Sequence, residues 1–112
     1  MIDGRRSSRP PAAARQRSVL VIDRDAETLL AARRVLECAG FTVSTAISDG
    51  YLPRGDFALV VANLAEVSLA NLQRRYPLVR VLNVSSHEVA DLTKPFTPSR
   101  LLSAVRLCLA RR

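Results

Sequence analysis

Apolar residues fall into two kinds of pattern along the chain: short continuous runs, and longer stretches with helical spacing. Continuous β-branched runs are typical of strands buried on both faces of a parallel sheet, because such strands need apolar side chains at every position. They predict strands at 18–22, 57–62 and 79–84. The alternating segment 41–46 predicts a further strand, and a very short fifth strand is expected at 89–92.

Helical spacing predicts three helices, one of them at the end of the chain. Asp25 is suited to cap the first helix, and Gly40 is suited to end it with a positive φ. A second helix is expected over about 66–75, and a third begins at Thr97 with Pro98 in its first position. Strands that alternate with helices predict an α/β fold with a doubly wound parallel sheet of about five strands.

Two of the connections are too short for a normal helix. Segment 48–56 contains two glycines and a proline, and only 87–93 separates the fourth strand from the following Lys-Pro-Phe. One face of the sheet would then be covered only by the helix at 66–75. Because exposed apolar surface costs about 25 cal/mol per Å², we expect a protein partner or a second copy of the chain to cover this thinned face.

The composition indicates one small domain with an aliphatic core, since the 112 residues are 48% hydrophobic and only 4% aromatic. No apolar run is long enough to cross a membrane, and no secretory signal is evident. We therefore expect a soluble, cytoplasmic protein with no membrane partner. Cys38 and Cys108 lie in apolar helical patterns and are expected to be buried thiols.

Positive charge is concentrated at the start of the chain. The net charge is +7, and residues 1–17 hold five arginines against one aspartate. Such a segment cannot bury enough apolar surface to order itself, so we expect a disordered basic tail at 1–17 and a folded domain at 18–112. The tail is either a solvated leader or, through residues 5–17, a segment that attracts nucleic acid.

Polar residues follow the predicted strands at the positions where each strand ends. Ligands of open α/β sheets bind at the carboxyl ends of the strands. The candidate site residues at this edge are Asp23, Arg24, Asp25, Asn63, Ser85 and Lys94.

Four segments in this order resemble the receiver domain of bacterial response regulators. They are Val19–Asp25 with its acidic residues, Ala39–Val43, Val81–Ser86, and Asp91–Pro98, which contains Lys-Pro-Phe. The resemblance covers roughly residues 18–112, and Lys-Pro-Phe before an amphipathic helix is its most specific element. It implies the flavodoxin-like receiver fold, here with shortened second and fourth helical connections, and a role in two-component signalling.

The family's chemistry implies a phosphorylation pocket at the strand ends. An aspartate after the third strand accepts the phosphoryl group, two carboxylates after the first strand help to hold Mg²⁺, and a lysine and a hydroxyl contact the phosphoryl oxygens. Asp23, Ser85 and Lys94 match this pattern. Arg24 stands at the second acidic position, and Asn63 stands at the acceptor position.

An asparagine is a poor phosphoryl acceptor because its amide oxygen is uncharged and weakly nucleophilic. We therefore expect a degenerate, phosphorylation-independent receiver that is not an enzyme and works by protein docking or self-association. No cofactor is expected, and Mg²⁺ would bind only in a functional pocket, through Asp23 and Asp25. The alternatives are a receiver with a displaced acceptor, such as Glu66 or Asp25, and nucleic-acid binding through the tail. Without an acceptor, Asp23 is expected to pair with Lys94 or Arg24.

Overall fold

The computed structural model describes residues 17–77, 79–85 and 91–110. Its strands are β1 (Ser18–Ile22), β2 (Thr42–Ala46), β3 (Leu59–Ala62), β4 (Arg80–Ser85) and β5 (Leu92–Thr93). Its helices are α1 (Ala26–Cys38), α2 (Leu69–Arg75) and α3 (Pro98–Ala110).

All five strands are parallel and form one sheet in the order β2-β1-β3-β4-β5. The first crossover places β2 on one side of β1, and the next places β3 on the other side. This reversal of direction is the mark of a doubly wound sheet. The predicted fold class is therefore confirmed.

Helices α1 and α3 cover one face of the sheet, as predicted. Leu36, Leu101 and Val105 are fully buried there, against the side chains that β1 and β3 direct toward this face. The expected helix ends are confirmed, since the Asp25 side chain caps α1 and Gly40 follows it with a φ of 97°. The N–H of Arg100 donates to the Thr97 hydroxyl at the start of α3, at 3.2 Å.

The opposite face is better covered than its short connections predicted. Leu20 and Val60 at its centre are completely buried, although the connection after β2 forms no helix. Helix α2 and the irregular segments beside it cover this face together. The residues that pack against it include Leu52, Phe57, Leu64, Val67, Leu72 and Tyr76. The prediction that a partner must cover this face is wrong for the central strands, because a loop fastened to a helix excludes water from them.

Tyr76, the residue that ends α2, fastens this loop. The phenolic O–H of Tyr76 donates to the carbonyl oxygen of Pro53. The ring of Phe57 meets the ring of Tyr76 edge to face, with centroids 5.3 Å apart. The segment between β2 and β3 therefore acts as part of the hydrophobic core.

Several predicted boundaries need correction. Strand β3 starts at Leu59 because Phe57 turns into the core beside Tyr76. Helix α2 starts at Leu69 rather than near 66, because the Ser68 hydroxyl caps it by accepting from the N–H of Asn71 at 3.2 Å. The fifth strand is Leu92–Thr93, so it ends one residue after the predicted strand at 89–92.

The two cysteines also differ from the prediction. Cys38 is exposed, and Cys108 is only partly buried. Both lie in the last turns of helices, Cys38 as the last residue of α1 and Cys108 two residues before the end of α3.

Some predictions fall outside the described residues. The basic tail at 1–17 does so except for Arg17, as do the first two residues of the predicted strand at 89–92. Among the helices that the structure describes, none has the length and hydrophobicity needed to span a bilayer.

Candidate functional site

The sheet brings the strand ends into one row. Ile22 of β1 pairs with Ala62 of β3, so Asp23 and Asn63 leave neighbouring strands at the same level. Lys94 follows Thr93, which pairs with Ser85 of β4. The candidate residues therefore lie at a common edge as predicted, although the side chain of Ser85 lies outside the described part of the chain.

Asp23 is the buried centre of this edge, with a side chain that is 8% exposed. One carboxylate oxygen, Oδ2, forms an ion pair with the Nζ of Lys94, and Oδ1 accepts the N–H of Asp25 at 2.9 Å. The expected pairing of Asp23 with Lys94 is confirmed. To reach Asp23 from β5, the lysine side chain passes the ends of the two intervening strands.

Asp25 is occupied at the start of α1. Its Oδ1 accepts the N–H of Glu27 at 3.3 Å, and its Oδ2 accepts the hydroxyl of Thr28 at 2.6 Å. The hydrogen bonds from Thr28 and Glu27 lower the pKa of Asp25 below its ordinary value. Both carboxylate oxygens thus serve the helix, which leaves Asp25 poorly placed to act as a displaced phosphoryl acceptor.

Arg24 turns away from Asp23 and binds Glu66 instead. Its Nη2 lies 3.2 Å from Oε2 of Glu66, and the two side chains are 74% and 34% exposed. This ion pair links the loop after β1 to the turn after β3. The same pair occupies Glu66, the other candidate for a displaced acceptor.

Asn63 shapes the turn that follows β3. Its side-chain Oδ1 accepts the N–H of Ala65 at 2.9 Å, and its main-chain oxygen accepts the N–H groups of Glu66 and Val67, also at 2.9 Å. This arrangement is the local turn that asparagine and aspartate side chains favour. The Asn63 side chain, at the position where the resemblance places an acceptor, therefore holds the backbone between β3 and α2.

Two further polar residues belong to this edge and were missed. The Oδ1 of Asn83, within β4, accepts the N–H of Leu64 at 3.0 Å, and the N–H of Asn83 donates to Asp91 at 2.9 Å. Asn83 is the polar interruption of the apolar run Val81–Val84, and this break in the pattern was the signal for it. Asn83 thereby joins the turn after β3 to the start of β5.

Asp49 is the second missed residue. One of its oxygens accepts the N–H of Ser68 at 3.0 Å and the side-chain amide of Asn71 at 3.2 Å. These two bonds lower the pKa of Asp49. They tie the loop after β2 to the first turn of α2, a contact between segments far apart in sequence that no local pattern reveals.

The oxygen atoms at this edge do not fit the Mg²⁺ ion that receiver domains use, as metal ligands. Mg²⁺ prefers carboxylate oxygens and water in octahedral geometry. Both oxygens of Asp23 and both of Asp25 already accept hydrogen bonds or pair with Lys94, and Asn63 contributes no charge. Within the described ranges, no three His, Cys, Asp or Glu residues form a group that could hold a metal.

Three exposed apolar side chains lie near this edge. Ile47 and Tyr51 flank Asp49 and are 67% and 87% exposed, and Leu69 follows Ser68 and is 40% exposed. The hydrogen bond between Asp49 and Ser68 brings the two segments together. We call Ile47, Tyr51 and Leu69 the apolar patch.

Comparisons with known proteins relate this chain to others through its fold. No protein-family model matches the sequence, and no curated protein matches it. Among solved structures, a response regulator from Thermotoga maritima aligns with a TM-score of 0.70 at 25% identity, over 84% of this chain and 98% of that one. A chemotaxis response regulator of Vibrio cholerae aligns with a TM-score of 0.68 at 18% identity, over 81% and 97%.

A third similar structure is the beryllofluoride-activated NtrC4 receiver domain dimer, with a TM-score of 0.68 at 18% identity. The alignment covers 83% of this chain and 96% of that one. These structures share the parallel sheet and its helices, and they align over nearly their whole lengths. The resemblance noted in the sequence is thus confirmed at the level of the fold, and the chain has the fold of the response-regulator receiver domains.

Proposed function

We propose that this chain is a receiver-like signalling module of the two-component type that works by protein docking, without phosphorylation, bound Mg²⁺ or enzymatic activity of its own. The observation that carries the proposal is the state of the acceptor position. Asn63 stands there, and its Oδ1 already accepts the N–H of Ala65. An amide oxygen used in this way is a poor nucleophile toward a phosphoryl group.

The remaining pocket residues support the proposal because they satisfy one another. Lys94, the residue expected to meet the phosphoryl oxygens, is bound to Asp23. A buried ion pair of this kind is costly to open, since either charge would be left without its partner. In this module the pair serves to hold the strand ends in one arrangement.

A module of this kind acts by binding a partner protein through its surface, and the apolar patch is the candidate binding surface. Exposed apolar groups beside polar residues are typical of protein interaction sites. The NtrC4 receiver forms a dimer, which makes a second copy of the chain the first partner to test. Sedimentation velocity of the native chain and of Tyr51→Ser tests this, with Leu107→Ser on the surface of α3 as the matched control. A dimer lost only in Tyr51→Ser supports self-association through the patch, and a monomer throughout rules out a second copy of the chain as the partner.

Intact-mass measurement tests the lack of phosphorylation. The native chain and Asn63→Asp are incubated with a small-molecule phosphodonor and Mg²⁺, beside a phosphorylatable receiver domain as a control for the donor. Aspartate retains the side-chain oxygen that accepts from Ala65, so the variant is expected to fold. We expect no phosphoryl adduct on the native chain. A stable, Mg²⁺-dependent adduct on the native chain would overturn the proposal, and mapping its site would identify the true acceptor.

A further inference from the structure

The ionisable side chains of the described residues divide unevenly between the two halves of the molecule. We define the amino-end half as the starts of β1 to β4, the residues just before them and the second halves of the helices. The loop after β2 enters this half at Pro53, which contacts Tyr76 at the end of α2. Strand β5 and Asp91 belong to the other half, because β5 pairs with the end of β4. In it, Arg17, Arg54 and Arg80 lie at or before strand starts. The helices contribute Arg33, Arg34, Arg74, Arg75 and Arg106. Only Glu37 and Asp56 oppose these eight charges, which leaves a net +6 in this half.

The carboxyl-end half contains the pocket and has the opposite sign. Six carboxylates lie there against Arg24, Lys94 and Arg100, for a net charge of −3. The described residues therefore carry an excess of positive charge at one end of the sheet and of negative charge at the other. A large anion would be attracted to one end of the sheet and repelled from the other.

Part of the positive charge has a structural role. The Nη1 of Arg80 donates to the carbonyl oxygens of Cys108 and Leu109 at the end of α3, where the helix dipole favours a cation. Arg33 pairs with Glu37 at 3.2 Å. Six arginines of the amino-end half remain beyond these two, and all six are exposed.

Three of these six arginines lie on the two segments that meet at Tyr76. Arg75 lies over the tyrosine ring, with its guanidinium carbon 5.8 Å from the ring centroid. Arg74 precedes it in α2, and its Nη1 donates to Oδ1 of Asn71 at 3.2 Å. Arg54 follows Pro53, whose carbonyl oxygen accepts the Tyr76 hydroxyl. We call Arg54, Arg74 and Arg75 the arginine cluster. Because Tyr76 is held in the core, it gives the cluster a rigid base.

We propose that the amino-end half binds the phosphate backbone of a nucleic-acid duplex through the arginine cluster. Arginine forms two parallel hydrogen bonds with a phosphate group, and phosphate contacts supply most of the affinity of non-specific binding. Interfaces with nucleic acid are polar and strongly positive, with many bridging waters. The charges of this half fit that description.

The distribution of apolar residues favours nucleic acid over an acidic protein. Protein interfaces are anchored by buried aromatic or aliphatic side chains at their centre. Of the five large apolar residues exposed in the described chain, four lie in the carboxyl-end half and only Leu107 lies in the amino-end half. The duplex is therefore expected to approach from the end opposite the apolar patch, which stays open for a protein.

Fluorescence anisotropy with a labelled DNA duplex of mixed sequence tests the proposal on the full chain. The variant Arg74→Gln/Arg75→Gln removes two charges from the arginine cluster. The matched control Arg24→Gln/Arg100→Gln removes two charges from the carboxyl-end half and leaves the same net charge. Melting temperatures establish that both variants are folded.

We expect the native chain to bind, with an affinity that falls steeply as salt rises. The cluster variant is expected to bind about tenfold more weakly at low salt, with a log–log salt slope reduced by up to about 2. The control is expected to stay within about twofold of the native chain. Equal losses in the two variants would overturn the proposal, because binding would then follow net charge or the shared basic segments. Displacement of the duplex by polyglutamate as readily as by unlabelled duplex would also overturn it, in favour of an acidic protein.

Discussion

The two ends of the sheet use their charged side chains in opposite ways. At the carboxyl end, Asp23 binds Lys94, Arg24 binds Glu66, and Asp25 caps a helix. At the amino end, arginines outnumber carboxylates eight to two among the described residues. The charged residues of the pocket thus have partners within the chain, whereas most arginines of the opposite end have no carboxylate of that end to balance them.

The two ends also differ in whether a sequence motif marks them. Asp23 and Lys94 match the pattern of a phosphorylation site, yet here each is the other's partner. Their ion pair is a structural contact in its own right, whatever motif the two residues match. The amino end has no motif at all, and only its charge and topology indicate a role.

The largest expected effect comes from breaking the buried pair. Lys94→Met leaves Asp23 buried without its cation, which is expected to lower the free energy of unfolding by about 3 kcal/mol or more. Urea denaturation measures the change. Arg24→Met, which breaks the exposed pair with Glu66, is the matched control and is expected to cost less than about 1 kcal/mol. Equal losses would mean that the Asp23 pair holds the strand ends no more firmly than a surface contact.

A smaller effect is expected at the base of the arginine cluster. Tyr76→Phe removes the hydroxyl that donates to Pro53 but keeps the ring contact with Phe57. One hydrogen bond in a buried setting contributes about 1 kcal/mol, so a loss of roughly that size in urea denaturation is expected. Tyr51→Phe, at an 87% exposed position, is the control and should leave stability unchanged. If both variants match the native chain, the loop is held by packing alone.

The smallest effect concerns pH. The pKa of Asp25 is lowered in the folded chain by its bonds to Thr28 and Glu27. A lowered pKa means that the contribution of Asp25 to stability is present above its ordinary value of 3.8 and is lost as pH falls through the folded-state value. Asparagine also caps helices but does not titrate. We therefore expect Asp25→Asn to lose less stability than the native chain between about pH 5 and pH 2.

Chemical denaturation across this pH range measures the difference. Asp56→Asn, which changes an exposed aspartate that caps no helix, is the matched control. An identical acid profile in Asp25→Asn and the native chain would show that the cap does not depend on the ionised carboxylate.

The order of the elements could be predicted from the sequence because β1 and β3 are continuous apolar runs, each followed by a helix signal. Strand β1 and helix α1, which Asp25 caps and Gly40 follows, show this well. The coverage of the second face could not be predicted. It depends on Tyr76 meeting Phe57 and Pro53, which lie 19 and 23 residues before it, and nothing in local periodicity indicates such contacts.

The members of the site could be predicted only in part, since Asn83 and Asp49 were missed, and its contacts were harder still to predict. Strand ends placed Asp23, Asn63 and Lys94 at one edge, because parallel strands share their carboxyl ends. The partner of Asp23 remained a choice between Lys94 and Arg24. In the structure Arg24 pairs with Glu66, which leaves Lys94 as the partner of Asp23. The pairing of Arg24 depends on the geometry of the turn after β3.

An amide NMR map of the native chain tests the contrast between the two ends most directly. One spectrum is recorded with Mg²⁺ and beryllofluoride, which mimics a phosphoryl group, and another with a DNA duplex. We predict that beryllofluoride leaves the amides of Asp23, Asn63 and Lys94 unchanged, and that the duplex shifts those of Arg54, Arg74 and Arg75. Saturable beryllofluoride shifts at the pocket, or duplex shifts centred on the carboxyl end, would contradict the account.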